Sequence, residues 1–202
     1  MYKVKTQVEE SNELYFFGDQ IVDQVKDADD NILYSRNLLR NSALTGNQYW
    51  FQAKTGSLDW NVTNEVTDGM NCKRMELLSA KTSGQWGYLY NNSLENVVEF
   101  EDGEVISIGL TAKSDPVVPI NVGLSNVQNN SSTLLAKTFN PTTEFTIFNH
   151  TGEAKTGLPT LFKIDLTGPS ILPENSVFIG CKAYVQKGEQ GPYSVAPEDI
   201  LV

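Results

Sequence analysis

The sequence predicts an all-β fold, an antiparallel β-sandwich of jelly-roll type behind a short N-terminal arm. Short apolar runs alternate with period two from Asn37 onward, and clusters of Gly, Pro, Asn, Asp and Ser break them at intervals of roughly 8 to 15 residues. No convincing helical periodicity follows residue 40. With 202 residues, 40% of them hydrophobic and 20% charged, the chain suits one large β domain with an appendage and can bury a core.

Residues 1–36 read as an arm, with the charge runs Glu9-Glu10 and Asp27-Ala28-Asp29-Asp30 around two apolar islands. The first island, Leu14 to Asp19, predicts a short strand ending in a turn. In the second, Ile21, Val22, Val25, Ala28, Ile32 and Leu33 follow helical spacing, yet Asp23, Asp27, Asp29 and Asp30 are poor helix formers. A short oligomerising helix, an extended hairpin and a plain connector all stay open.

Residues 37–202 form the predicted sandwich. Its strands are Asn71 to Leu78, Gln85 to Tyr90 and Val97 to Glu101, followed by one with Ile106, Ile108, Leu110 and Ala112 on one face and Ser107 and Thr111 on the other. Ile120, Val122 and Leu124 share a face after the breaks at Asp115-Pro116 and Pro119. Next come Leu135, Lys137 and Phe139, closed by Asn140-Pro141, and then a run around Phe145, Ile147 and Phe148. Between Thr160 and Thr167, Phe162, Ile164 and Leu166 oppose Lys163 and Asp165. In the last strand Val177, Ile179, Cys181, Ala183 and Val185 alternate with Phe178, Lys182, Tyr184 and Gln186.

Charge and side-chain chemistry narrow the function. The balance of 25 acidic against 15 basic residues gives a net charge of -10, which repels nucleic acid and anionic membranes, and Lys73-Arg74 is the sole adjacent basic pair. No secretory signal and no apolar run of about 18 residues is present. Cys72 and Cys181 show no metal-ligand spacing and read as two buried thiols, with a long-range disulfide as the alternative. The single histidine, His150, reads as a loop residue at a strand end; no GxSxG or phosphate-loop motif accompanies it, so no enzyme is expected. Acidic pairs are too abundant here to be diagnostic of glycoside hydrolysis.

All three tryptophans fall between residues 47 and 92, among neutral amides. A sugar offers an apolar C–H face and a ring of hydroxyls, so its site needs an aromatic plate flanked by hydrogen-bonding side chains. The expected saccharide-binding residues are Trp60, Trp86, Tyr88, Tyr90, Asn91 and Asn92. Trp60, between Asp59 and Asn61, is the expected exposed platform; Trp86, Tyr88 and Tyr90 share one strand face, with the sandwich core as the competing place for them. Trp50, inside an apolar triplet, is expected in the core.

Asn37-Leu38-Leu39-Arg40-Asn41-Ser42 resembles the opening of jelly-roll carbohydrate-binding modules. Tyr184-Val185-Gln186-Lys187-Gly188, then Pro192-Tyr193-Ser194-Val195-Ala196-Pro197-Glu198-Asp199, resembles the closing strand and tail of such modules in bacteriophage tail and baseplate proteins, and Tyr15-Phe16-Phe17-Gly18-Asp19 resembles a connector that precedes them in phages of Gram-positive hosts. The resemblance implies a non-catalytic adhesion module of the virion, made in the host cytoplasm, whose partners are host cell-wall polysaccharide and other tail or baseplate proteins, with oligomerisation open to residues 1–36. It departs from the pattern at Gln186, where Glu is usual, and at Ser42-Ala43-Leu44, which lack the Glu that often supports a structural calcium in the family; no cofactor is expected, with a structural calcium left open as the alternative. The alternative is a structural or assembly module that docks to tail proteins with its aromatics in the core and binds no sugar.

Overall fold

The computed structural model describes residues 16–17, 20–21, 24–94, 99–117, 119–126, 132–155, 161–166 and 171–194. Every regular element among them is a strand, and the strands form a sandwich. Two short hairpins come first: β1 (Phe16–Phe17) with β2 (Gln20–Ile21), and β3 (Gln24–Lys26) with β4 (Ile32–Ser35). The sandwich follows with β5 (Trp50–Lys54), β6 (Trp60–Thr67), β7 (Met70–Leu77), β8 (Gly87–Asn91), β9 (Val105–Asp115), β10 (Ile120–Asn126), β11 (Ser132–Phe139), β12 (Thr146–Glu153), β13 (Leu161–Asp165) and β14 (Val177–Lys187). One five-stranded antiparallel sheet has the order β11-β10-β13-β8-β5, the other β12-β9-β14-β7-β6.

Period-two alternation fills the space between the sheets. Ile106, Ile108, Leu110 and Ala112 of β9 meet Val122 and Leu124 of β10 and Phe162 and Ile164 of β13 in one core, all fully buried. Each large apolar side chain so buried contributes about 1.5–3 kcal/mol. In β14 the expected alternation breaks. Its pairing with β9 shifts between Cys181 and Tyr184, and Lys182 there has φ of 50°, so a bulge moves the chain by one position. Phe178 before the bulge and Ala183 and Val185 after it point into the main core, whereas Ile179 and Cys181 lie on the outer face under Met70 and Phe145.

The structure also decides one reading that the sequence left open and corrects two expectations. The second half of the arm is the β3–β4 hairpin, not a helix: Asp27 accepts hydrogen bonds from the backbone of Asp29 and Asn31 across the turn, both at 2.9 Å, and Asp30 takes φ of 66°. His150 lies within β12, opposite Ile108, rather than in a loop; burial and the nearby Lys137 lower its pKa. Of the run from Val97 to Glu101, residues 97–98 lie outside the described residues, and Phe100 is fully buried without belonging to a strand. Leu14, Tyr15, Gly18 and Asp19 of the first island also lie outside them, around β1.

The two asparagines of the opening motif hold the fold together. Asn37 Nδ2 donates to the carbonyls of Ala183 (3.1 Å) and Ser194 (3.0 Å), and its Oδ1 accepts from the N–H groups of Leu39 and Val185. Asn41 Nδ2 donates to the carbonyls of Thr45 and Gln48, while the Asn41 carbonyl accepts from Trp50 Nε1 at 2.8 Å. At the closing tail, buried Gln186 donates to the Pro192 carbonyl and accepts from Gly191 N–H. The chain segments entering and leaving the sandwich are thus knotted together, with Gln24 reaching the Glu189 carbonyl and Ser194 the Ser35 carbonyl.

Lys73 of β7 is 2% exposed, and its ammonium donates to the Gly46 carbonyl and Asn47 Oδ1 at 2.6 Å and to Asn64 Oδ1. Burial pushes its pKa down to about 8 from 10.5. Between these values the unfolded chain binds more protons at this site than the folded one, so the Lys73 contribution to stability rises with pH across that window. The difference in unfolding midpoint between the protein and Lys73→Met is therefore expected to shift in favour of the lysine form from pH 8 to pH 10.5, measured by urea unfolding at fixed ionic strength.

Candidate saccharide-binding face

Cross-strand register places two rows of side chains on the outer face of the β11-β10-β13-β8-β5 sheet. One row runs Phe51, Tyr90, Lys163, Gly123, Ala136; the next runs Ala53, Tyr88, Asp165, Asn121, Thr138. Residues between them, such as Leu89, Ile164 and Val122, point inward to the core, which fixes the direction of both rows.

Along β8 and onto β5 the aromatics form a ladder. Trp86 stacks on Tyr88 with ring centroids 5.5 Å apart and planes 17° apart; Tyr88 and Tyr90 are 5.8 Å apart and tilted; Tyr90 stacks on Phe51 at 5.6 Å and 27°. The ends are open to solvent, Trp86 at 39% and Phe51 at 45%, and the tyrosines between are half-buried. The loop that carries Trp86 is pinned: its carbonyl accepts from Thr55 N–H at 2.9 Å, and neighbouring Gln85 donates to the Ser57 carbonyl and accepts from Thr82 N–H.

Polar groups line the ladder on its β13 side. The Lys163 ammonium lies 4.6 Å from the centre of the Tyr88 ring, a cation–π contact. Asp165 sits directly opposite Tyr88 in register, and burial, then Tyr90 and Asp165, raise the Tyr88 pKa, so its hydroxyl stays protonated as donor and acceptor. Together the face offers flat apolar rings beside an ammonium, a carboxylate, two phenols and an amide. The two rows contain one carboxylate, Asp165, and hence no acid–base pair for glycoside hydrolysis within them.

The expected site residues divide accordingly. Trp86, Tyr88 and Tyr90 stand on this face, and Asn92 follows at the end of β8, half-buried, with its N–H donating to the Tyr49 carbonyl. Asn91 does not join them. It is fully buried opposite Trp50 and Phe162, donating to the Arg40 carbonyl and accepting from Ser93 N–H, both at 2.9 Å. The expectation of Trp60 as an exposed platform is also corrected: it is 5% exposed and packs in the core. Trp60 opens strand β6, so exposed Asp59 and Asn61 flank it on the opposite face, and their polarity accompanies an inward Trp60. Trp50 is in the core as expected, 4% exposed.

Phe51, Lys163 and Asp165 join the face without a motif to announce them. The strand alternation that sends Phe162 and Ile164 inward is the signal that turns Lys163 and Asp165 outward. Leu44, where the modules that the opening segment resembles carry a Glu, is packed in the apolar core and offers no side-chain ligand.

No family model matches the chain, and no characterised protein sequence does. Solved structures do resemble it in fold. The N-terminal cellulose-binding domain of Cellulomonas fimi β-1,4-glucanase C superposes with a TM-score of 0.55 at 11% identity, over 78% of this chain and all of that one. The module TmCBM61, solved with β-1,4-galactotriose, gives 0.51 at 14% identity, over 76% of this chain and all of that one. The α-L-arabinofuranosidase MgGH51, solved with arabinose, gives 0.59 at 13% identity, over 81% of this chain but 28% of the enzyme. The fold is thus the jelly-roll β-sandwich of carbohydrate-binding modules, a fold also built into larger glycoside-processing enzymes.

Proposed function

We propose that the chain is a non-catalytic saccharide-binding module that holds a glycan along the ladder Trp86, Tyr88, Tyr90 and Phe51. The observation that carries this reading is the ladder itself, four contiguous rings on the outer face of a sheet with exposed ends and with Lys163 and Asp165 beside it. Rings of this kind stack on the C–H faces of sugar units, while the charged and phenolic groups satisfy hydroxyls. Fold likeness to a cellulose-binding domain and to a galactotriose-bound module supports the same class of ligand.

The finer assignment is adhesion: a module of a phage tail or baseplate that binds host cell-wall polysaccharide. It rests on the resemblance of residues 37–42 and 184–199 to such modules. Display in many copies would multiply a weak single-site affinity by roughly 10² to 10⁴. The competing assembly role places the aromatics in the core, which describes Trp50 and Trp60 but not Trp86.

The test is intrinsic tryptophan fluorescence during titration with purified host cell-wall polysaccharide. Trp50 and Trp60 are shielded, so a ligand on this face reports through Trp86. A saturable spectral change is expected; an unchanged spectrum up to roughly millimolar sugar overturns the reading, since even weak sites of this kind fill there.

A further inference from the structure

On the other sheet, facing away from the main core, lies a cluster with no part in saccharide binding. Cys72 of β7 and Cys181 of β14 are both fully buried there, with Ile179 beside Cys181 on the same face of β14 and Met70, Phe145 and Val177 packed around the cluster. β7 and β14 pair with Gly180 opposite Lys73, so the next rung sets Cys181 against Cys72. Cys72 Sγ donates to the Met70 carbonyl at 3.4 Å, and Cys181 Sγ to Met70 Sδ at 3.8 Å, so both sulfurs converge on one methionine. Both are free.

We propose that Cys72 and Cys181 are a cross-strand dithiol that closes to an intramolecular disulfide by exchange with a low-molecular-weight disulfide such as oxidised glutathione. Opposed positions on neighbouring antiparallel strands hold Cβ atoms about 4.5–5.5 Å apart, so a strand approach of about 1 Å brings them into the roughly 3.5–4.5 Å that a disulfide spans. The bulge that follows Cys181 interrupts the β14–β9 ladder at that point, giving the backbone room to take up the dihedral the bond requires. In the reaction one cysteine thiolate attacks a glutathione disulfide sulfur, its S–S bond breaks and one glutathione thiolate leaves. The second cysteine thiolate then attacks the protein sulfur of the mixed disulfide and expels the second glutathione. Two electrons pass from the pair to the oxidant, and the two thiol protons end on the two glutathiones.

Burial raises the pKa of both thiols, Cys181 above all, so little thiolate exists in the closed fold. Exchange therefore proceeds through opening of the cover that Met70, next to the β6–β7 turn at Asp68-Gly69, and Phe145 provide. A protein in a reducing compartment keeps the dithiol; one passing to an oxidising medium acquires the staple.

The test refolds the whole chain with excess oxidised over reduced glutathione, then measures intact mass and free thiols. The expected product has no free thiol, a mass lower by about 2 Da, no glutathione adduct and no dimer. Its melting temperature should exceed that of the reduced form by roughly 10 °C, as for a bond closing a long loop. Cys72→Ser and Cys181→Ser each should lack the 2 Da loss and show either one free thiol or one adduct of about 305 Da. Retention of two thiols after refolding, two adducts, or an intermolecular bond overturns the proposal, as does closure that leaves the melting temperature unchanged. Saccharide binding belongs to the opposite sheet and is expected to be equal in both redox states, so it is judged separately.

Discussion

Trp86→Ala is expected to weaken saccharide binding by roughly ten- to a hundredfold while leaving the unfolding free energy within about 0.5 kcal/mol of the parent. The asymmetry follows from its position. Trp86 precedes β8, is 39% exposed and has Tyr88 stacked against it, so truncation removes a plate from the surface and little from the core. Tyr88→Ala should weaken binding as much and also lower stability, because the ring is held between Trp86 and Tyr90 and carries the Lys163 ammonium. Phe51→Ala, at the far end, should affect long oligosaccharides more than short ones, since a short chain seated at Trp86 does not reach it. Calorimetric titration with a series of chain lengths, alongside thermal unfolding of each variant, separates these effects. Equal affinity for the parent and for both Trp86→Ala and Tyr88→Ala would move the site off this face.

How much of this was legible in the sequence depends on whether a residue's direction could be read from its immediate neighbours. Where alternation runs unbroken, as at Ile106 to Ala112 or Phe162 to Leu166, the inward face follows directly, and with it the core. In β8 the alternation groups Tyr88 and Tyr90 on one face but leaves its direction open, because aromatics also suit the core; the buried Leu89 between them shows that they point outward. Strand β6 was hidden because Asn61, Thr63, Asn64 and Glu65 give it a loop-like composition, although Trp60 and Val62 keep the period of two. As an edge strand it carries polar groups on its open side, and composition therefore misleads where periodicity does not. The bulge at Lys182 lies beyond such reasoning, since one added residue reverses every later side chain and only the partner strand reveals it. Asn91 illustrates a third limit. An amide beside an aromatic strip suits a sugar hydroxyl, but it suits equally the Arg40 carbonyl and Ser93 N–H that occupy it, and those partners come from another part of the chain or from a local turn.

Trp60→Ala is expected to lower the unfolding free energy by about 3–5 kcal/mol. The indole spans the interior between the two sheets. It begins on β6, and a methyl built on Gly87 at the start of β8 would stand 2.6 Å from Leu58 Cδ2 and 3.1 Å from the indole's six-membered ring, so Leu58 and Trp60 together fill the space that a side chain at Gly87 would need. Removing the ring opens a cavity beneath the residue that precedes Tyr88, and the aromatic ladder loses the support under its first rung. Trp60→Phe should cost less than half as much. Its indole N–H is buried without a hydrogen-bond partner, so a phenyl ring sacrifices some packing but also removes an unmet donor. Urea unfolding of both variants gives the stabilities, and titration at a temperature where each is folded gives the affinities. Binding should survive in Trp60→Phe and should fall in Trp60→Ala only to the extent that β8 shifts. If Trp60→Ala instead kept full stability and lost binding outright, Trp60 would be a contact residue, and the interior position that the two sheets impose on it would be wrong.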